Sequence, residues 1–175
     1  MATPVFPTGI GERYFEDYVP GLSAEYGPVV VDADEIVAFA LRYDPQDIHT
    51  DPARAADGPF GGLIASGWQT AGLMMRLYVE HYLSAVASLA SPGIDELRWL
   101  APVRPGDALS IRVTVRDARR SRSKPDRGLV HTFIEVRNQH GATVMSMLAM
   151  NLLRCRSAAA PSEPVSSPVA GRGGR

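Results

Sequence analysis

Residues 66–87, SGWQTAGLMMRLYVEHYLSAVA, form the longest helical pattern in this chain of 175 residues. Apolar side chains recur there at intervals of three and four residues, which is the spacing of one face of an α-helix. Further apolar positions make this face wider than a helix on the protein surface would need. The pattern predicts a core helix that begins at Ser66 or Gly67 and runs to about Ala87. Its predicted inward side chains are Trp68, Ala71, Met74, Met75, Tyr78, Tyr82 and Val86.

Downstream of this helix, the pattern changes to the alternation of apolar and polar residues that is typical of β-strands. The loops between the last three predicted strands are too short for a crossover helix, so these strands should form an antiparallel meander. The last strand is apolar almost throughout, which predicts a central strand covered on both faces. Helix and strands together predict an α+β fold. The four predicted strands cover residues 96–103, 108–118, 129–138 and 142–156.

Upstream of the long helix, the sequence predicts shorter elements. Residues 13–31 contain aromatic and β-branched residues broken by Pro-Gly, which indicates short strands around a turn. A helix capped by Asp32 or Asp34 should follow. Residues 44–52, DPQDIHTDP, are predicted to be a loop, and Asp51 is expected to cap a brief helix before the glycine-rich turn GPFGG.

Length and composition limit the number of domains and the cellular setting. The length suits one domain, residues 1–156, and the Pro/Ser/Gly-rich residues 157–175 are predicted to be a disordered tail. A single cysteine, Cys155, excludes an internal disulfide framework and favours a reducing cytoplasm. The net charge of −1 gives no reason to expect nucleic acid or a membrane surface as a partner.

The densest group of chemically active side chains lies just before the long helix. Asp44 and His49 are five residues apart around a proline-containing segment. A carboxylate and a neutral histidine in one apolar cleft can hold a water molecule and exchange protons with it. The first-turn N–H groups at Ser66, Gly67 and Trp68 could polarise a carbonyl oxygen, because they have no partner within the helix. On spacing alone, a capping aspartate and a solvated histidine are the commoner explanation.

The segment FALRYDPQDIHTDPARAADGPFGGLIASGWQTAGLMMRL resembles the MaoC-like dehydratases, the family that includes the (R)-specific enoyl-CoA hydratases. In that family, an aspartate lies five residues before a histidine in a pattern like D-x-N-P-x-H. The motif F-G-x-x-I-A-H-G and the central helix follow. Asp44 and His49 match the pair, and Phe60, Gly61 and Gly67 match the second motif. The similarity extends over residues 10–156.

This resemblance implies a hot-dog fold, in which an antiparallel sheet wraps around a central helix, and a homodimer that acts on acyl thioesters of coenzyme A or of a carrier protein. Asp44 and His49 would activate water for addition to a trans-2-enoyl thioester, or remove it from a 3-hydroxyacyl thioester. The N–H of Gly67 would bind the thioester carbonyl, with Ser66 and Trp68 beside the substrate. No metal or redox cofactor is implied.

Two departures from the family pattern bear on the site. Gln46-Asp47 replaces the usual Asn-Pro, and Asp47 is predicted to face solvent, the alternative being that it raises the basicity of His49. Ser66 replaces a histidine and is predicted to cap the helix, the alternative being a hydrogen bond to the substrate. Trp68 is predicted to pack in the core, the alternative being a side chain that shortens the acyl tunnel.

Two other functions are left open by the sequence. The departures permit a hot-dog module that binds acyl thioesters without turning them over. A thioesterase is the second alternative, because the central helix carries the catalytic acid in hot-dog thioesterases and Glu80 lies on this helix. The arginine-rich residues 119–127 could contact coenzyme phosphates, although a solvated hairpin tip is the usual explanation. His81 and His131 have no second ligand at metal spacing, so structural roles are expected for them.

Overall fold

The structure is a computed structural model that describes residues 6–157. It contains one antiparallel sheet of five strands: β1 (Ser23–Val30), β2 (Ser88–Trp99), β3 (Ala108–Arg120), β4 (Arg127–Arg137) and β5 (Thr143–Arg154). The strands lie in the order β1-β3-β4-β5-β2, so β3, β4 and β5 form the predicted meander. β5 is a central strand as predicted, since it pairs with both β4 and β2. Its two faces differ: alternate residues are fully buried and the others only partly.

Within residues 6–157, four α-helices lie between β1 and β2 in the chain: α1 (Ala33–Tyr43), α2 (Asp47–Thr50), α3 (Pro52–Asp57) and α4 (Gly67–His81). Asp32 caps α1 and Asp51 caps α3, each by accepting hydrogen bonds from two backbone N–H groups of the first turn. The predicted loop between them is partly wrong, because α2 forms one helical turn within it. This turn carries His49 into the protein interior.

One face of α4 packs against the sheet. Met74, Leu77 and Tyr78 are buried there and join the main apolar cluster, which includes Ile111 and Ile134 of the sheet. The prediction of a core helix is confirmed for this face. The adjacent face differs from the prediction, because three of its large apolar side chains are about half exposed: Trp68, Met75 and Val79.

The C-terminal end of α4 comes earlier than Ala87, where the sequence pattern placed it. The buried guanidinium of Arg13 donates a hydrogen bond of 2.8 Å to the Tyr82 carbonyl. The backbone N–H of Ser84 donates to the Tyr18 hydroxyl at 2.9 Å. These long-range contacts take the backbone groups that a continuing helix would use, so the chain turns towards β2.

Two strand predictions require correction. β2 begins at Ser88, eight residues before the predicted start, and it contains Pro92-Gly93. Proline is tolerated because β2 is an edge strand, and its register with β5 shifts near this point. In residues 13–31 only β1 is a strand, and a short 3-10 helix at Phe15–Asp17 replaces the first one predicted.

The predicted domain and tail both extend beyond residues 6–157. Apart from its first residue, the predicted tail at residues 157–175 lies outside the described residues, as do residues 1–5 of the predicted domain. Within residues 6–157, no helix combines the length and the hydropathy needed to cross a lipid bilayer.

Candidate active site

His49 is held in place by the backbone of the segment that leads into α4. The residue is 5% exposed, and its Nδ1 lies 2.8 Å from the carbonyl oxygen of Ile64. A carbonyl oxygen only accepts, so Nδ1 carries a proton; in the neutral imidazole, the lone pair is then on Nε2. The N–H of Ile64 also donates to the Ile48 carbonyl at 3.2 Å. These two bonds fix the imidazole ring relative to the start of α4.

Asp44 meets His49 at the C-terminal end of α1. Its Oδ2 lies 3.4 Å from the Nε2 of His49. The Gln46 side-chain amide donates to Oδ1 at 2.7 Å, and the Ser66 hydroxyl donates to Oδ2 at 2.7 Å. These two hydrogen bonds, with a smaller contribution from His49, lower the pKa of Asp44 below its ordinary value of 3.8. Asp44 is therefore a carboxylate at neutral pH, with His49 beside it.

Ser66 connects this pair to α4. Its Oγ accepts a hydrogen bond of 3.2 Å from the backbone N–H of Trp68, so the predicted helix cap is confirmed. The same hydroxyl donates its proton to Asp44, a contact that the sequence pattern did not predict. Ser66 is completely buried and its hydroxyl is engaged on both sides. These two hydrogen bonds suit a residue that positions Asp44 relative to α4. Contact between Ser66 and the substrate, which the family resemblance implies, stays a prediction.

Gly67 places the first free backbone N–H of α4 at the site. It lines the cavity beside Asp44 and His49, and its N–H has no acceptor among residues 6–157. The indole of Trp99 packs directly on it, with Nε1 donating to the Gly67 carbonyl at 2.9 Å. A Cβ atom at this position would overlap the Trp99 ring. Glycine is therefore required here for close packing.

The cavity has a volume of about 400 Å³ and is mostly apolar apart from Asp44, His49, Thr70 and backbone groups. Trp68 lines it and is 58% exposed, so the prediction that this side chain packs in the core is wrong. Its ring meets Trp99 edge-on, at 5.2 Å between centroids, and this contact leaves most of the ring uncovered. The remaining lining residues are Phe60, Ile64, Ala65, Leu100, Ala101, Pro102, Val103 and Val144.

The other charged candidates lie away from this cavity. Asp47 faces solvent as predicted and pairs with Arg54 at 2.8 Å. Glu80 pairs with Arg76 on the exposed side of α4, thirteen residues after Gly67, which is about 20 Å along the helix axis. This distance gives no support to a catalytic role for Glu80 at the same site.

The arginine-rich hairpin is also remote. Arg127 pairs with Arg154, ten residues along β5 from Val144, which lines the cavity. Ten strand residues span roughly 33 Å, so residues 119–127 of the same chain do not reach the site. His81 stacks on Tyr26, at 5.5 Å between ring centroids. Within residues 6–157, no three His, Cys, Asp or Glu side chains are grouped as metal ligands.

The comparison with known sequences identifies the family. Residues 19–135 match the MaoC like domain. The chain is 32% identical to the uncharacterized protein YdeM of Bacillus subtilis over 109 residues, which are 62% of this chain and 76% of YdeM. It is 41% identical to 3-hydroxyacyl-thioester dehydratase Z of Mycobacterium tuberculosis over 80 residues, 45% of this chain. The match spans 53% of that relative's length.

Solved structures show the same fold. The MaoC-like dehydratase from Rhodospirillum rubrum superposes with a TM-score of 0.75 at 36% identity, covering 83% of this chain and 99% of that one. An (R)-hydratase from A. caviae superposes with a TM-score of 0.62 at 26% identity, covering 76% of this chain and 95% of the other. The sheet around α4 is thus a hot-dog fold of the α+β class, as the sequence resemblance implied. The chain belongs to the MaoC-like dehydratase family.

Proposed function

We propose that the protein hydrates trans-2-enoyl thioesters, and in the reverse direction dehydrates 3-hydroxyacyl thioesters, with Asp44 and His49 as the catalytic pair. The observation that carries the proposal is the placement of both groups, 3.4 Å apart, in one apolar cavity beside the Gly67 N–H. Relatives named as a 3-hydroxyacyl-thioester dehydratase and a 3-hydroxybutyryl-CoA dehydratase support the reaction class.

The two side chains suit the activation of one water molecule. The Nε2 lone pair of His49 accepts a proton from the water while the water oxygen bonds to C3 of the enoyl group. The Asp44 carboxylate stabilises the resulting imidazolium, because its lowered pKa keeps it ionised. The same pair returns the proton to C2. Water is added across the double bond, both residues regain their starting state, and both new bonds form on one face.

The Gly67 N–H supplies the third element of the reaction. Charge moves onto the thioester oxygen as water attacks C3, and the N-terminus of α4 offers a backbone donor and the positive end of the helix dipole. The start of the helix is held on both sides of this donor, because Ser66 accepts from the Trp68 N–H and the Trp99 indole donates to the Gly67 carbonyl. This geometry supports binding of the thioester carbonyl at Gly67 and of the reacting carbons near Asp44 and His49.

Incubation of the purified chain with crotonyl-CoA tests the reaction class. A hydratase removes the absorbance of the conjugated double bond and releases no free thiol. Loss of absorbance with release of thiol would indicate hydrolysis, and saturable binding without either change would indicate a binding module. Either of these last two results would overturn the proposed reaction.

We also propose that the protein acts as a homodimer. β2 is an edge strand of 12 residues, and large apolar side chains are exposed on it and on α4 next to it, among them Ile94, Met75 and Val79. A second copy that pairs along β2 would cover these side chains. Light scattering should give about twice the mass of one chain, and Ile94→Arg should give monomers; a monomeric wild type would contradict this proposal.

Cofactor requirement and location remain predictions. Proton transfer between water, His49 and Asp44 needs no metal ion or redox group, so activity should survive dialysis against a chelator. The single Cys155 is buried with a free thiol, which is compatible with the cytoplasm as a reducing compartment.

A further inference from the structure

A second cavity of about 270 Å³ lies between α4 and strands β2 and β5. Trp68 lines both this cavity and the active-site cavity, so the two spaces share one wall. The second cavity is lined almost entirely by apolar side chains. The exceptions are three polar residues: Tyr78, Ser91 and Asn151.

Two of these polar groups are already satisfied by the protein. The Tyr78 hydroxyl donates a hydrogen bond of 2.6 Å to the Oδ1 of Asn151. Burial raises the pKa of Tyr78, so the hydroxyl keeps its proton and remains a donor. The Ser91 hydroxyl lies 2.5 Å from the carbonyl oxygen of Met150, to which it donates.

The side-chain amide of Asn151 is only partly satisfied by the protein. The residue is 6% exposed, and its side-chain NH₂ group has no hydrogen-bond acceptor among residues 6–157. Asn151 lines the cavity, and its amide nitrogen is not among the fully buried polar atoms without a partner in residues 6–157, so this donor is open to the cavity and available to a ligand. The free amide therefore marks one polar point in an otherwise apolar cavity.

We propose that this cavity receives the distal end of the acyl group, and that Asn151 selects acyl chains carrying a hydroxyl or carbonyl oxygen at that end. The inference rests on the proposed function, since it takes the thioester to lie at Gly67. A neutral oxygen fits better than a carboxylate, because no cationic side chain lines the cavity and a buried charge without a partner is costly.

The spacing along α4 indicates an acyl group of medium length. Tyr78 lies eleven residues after Gly67, about 16 Å along the helix axis. Helical side chains lean towards the N-terminus, which brings the Tyr78 hydroxyl and its partner Asn151 closer to the thioester site than this spacing. A chain of four carbons would be too short to reach Asn151, whereas chains of eight to ten carbons are the proper probes.

Isothermal titration with saturated thioesters tests the proposal without requiring turnover. Octanoyl-CoA and decanoyl-CoA are compared with 8-hydroxyoctanoyl-CoA and 10-hydroxydecanoyl-CoA, and the wild type should bind a hydroxylated chain about tenfold more tightly than its unsubstituted match. Crotonyl-CoA hydration is measured on the same sample. Its absence would defeat the proposed reaction, while the binding comparison would still decide the role of Asn151.

Variants at position 151 test whether the Asn151 amide causes the tighter binding of hydroxylated chains. Asn151→Leu should abolish or reverse it. If that protein folds poorly, Tyr78→Phe/Asn151→Leu replaces both hydrogen-bonding partners with apolar groups of similar shape and should serve instead. Tyr82→Phe/Thr132→Val is the matched control, because it removes another pair of buried hydroxyls, 2.7 Å apart, that joins the C-cap of α4 to β4 and lies outside the cavity.

Four results would overturn the proposal. The wild type could bind the unsubstituted chains as tightly as the hydroxylated ones, or bind none of the four. The preference could also persist in the variants at position 151. Loss of the preference in the control pair would equally contradict a specific role for Asn151.

Discussion

At the C-terminal end of α4, the Tyr82 carbonyl accepts hydrogen bonds from the buried side chains of Arg13 and Tyr18. At its N-terminal end, the Gly67 N–H has no acceptor among residues 6–157 and faces a cavity of about 400 Å³. Both ends carry backbone groups that the helix itself cannot satisfy. One end is closed by the N-terminal segment of the chain, and the other is left open for a ligand.

The side chains around the two ends differ in the same way. Phe6, Tyr18 and Tyr82 pack edge-to-face around the guanidinium of Arg13. At the other end, His49 is held by one hydrogen bond to Ile64, Asp44 is held by two, from Gln46 and Ser66, and both residues line the cavity. The C-terminal end of α4 is therefore a packed, stabilising region, and the N-terminal end is the place of the proposed reaction. Substitutions at the two ends should separate stability from activity.

The largest effect on activity is expected at the open end. His49→Ala should lower kcat/KM for crotonyl-CoA by about 10²–10⁴-fold, since it removes the group that accepts the proton from water. The variant should still fold, because the imidazole holds no strand or helix of the sheet core. Near-wild-type turnover in a folded variant would contradict the assignment.

The largest effect on stability is expected at the closed end. Arg13→Met should lower the free energy of unfolding by about 3 kcal/mol, because the Tyr82 carbonyl and the neighbouring backbone lose a buried charged donor. Denaturant titration measures this change, and activity per folded molecule should stay near that of the wild type. Unchanged stability, or a specific loss of activity, would show that the two ends do not have separate roles.

A bulkier residue at the start of α4 should disturb both properties. Gly67→Ala forces its Cβ against the Trp99 ring, so the helix start and its N–H must shift. We expect about a 10²-fold loss in kcat/KM, as for other small displacements of groups that position a substrate. The check is to measure unfolding and turnover in Gly67→Ala and in Gly67→Ala/Trp99→Ala. The double variant should be more stable than Gly67→Ala, because it has no indole ring to clash with the added Cβ. If it is not more stable, this clash is not the cause.

The smallest expected effect concerns pH. Gln46→Ala removes the main hydrogen bond that lowers the pKa of Asp44, so this pKa should rise towards its ordinary value. The titration of the Asp44 carboxyl group, followed by NMR, should then move to higher pH. The same bond stabilises the fold only when Asp44 is ionised. The stability difference from the wild type should therefore be present at neutral pH and disappear as the pH falls through the folded-state pKa of Asp44.

An Asp44 titration that stays in place would show that the Gln46 amide does not lower this pKa. Asp47→Gln offers the comparison within the same segment, because Asp47 is exposed and pairs with Arg54 and not with the site. The Asp44 titration in this variant should match that of the wild type.

Local sequence signals predicted much of the fold. Alternation in β3 and β4 and the capping aspartates of α1 and α3 specify their elements through nearby residues, and these predictions are confirmed. Errors arose where distant contacts decide the outcome. The end of α4 depends on Arg13, 69 residues from its partner Tyr82, and the long β2 depends on pairing with β5.

The site was predictable only in part for the same reason. Asp44 and His49 are only five residues apart, so their spacing and the family resemblance are enough to predict them as a pair. The Ser66 bond to Asp44 spans 22 residues and the Trp99 bond to Gly67 spans 32, so no short motif signals either contact. Trp68 was misassigned to the core because helical periodicity cannot distinguish a cavity wall from packed interior.

The carboxylate of Asp44 is the central group of the proposed site. Its role is tested by comparing Asp44→Asn with Asp47→Asn, because both variants replace a carboxylate of this segment with an amide. Crotonyl-CoA hydration should fall by about 10²–10⁴-fold in the first variant and remain at the wild-type rate in the second. Equal rates in the two folded variants would contradict the central claim that Asp44 and His49 activate water at the open end of α4.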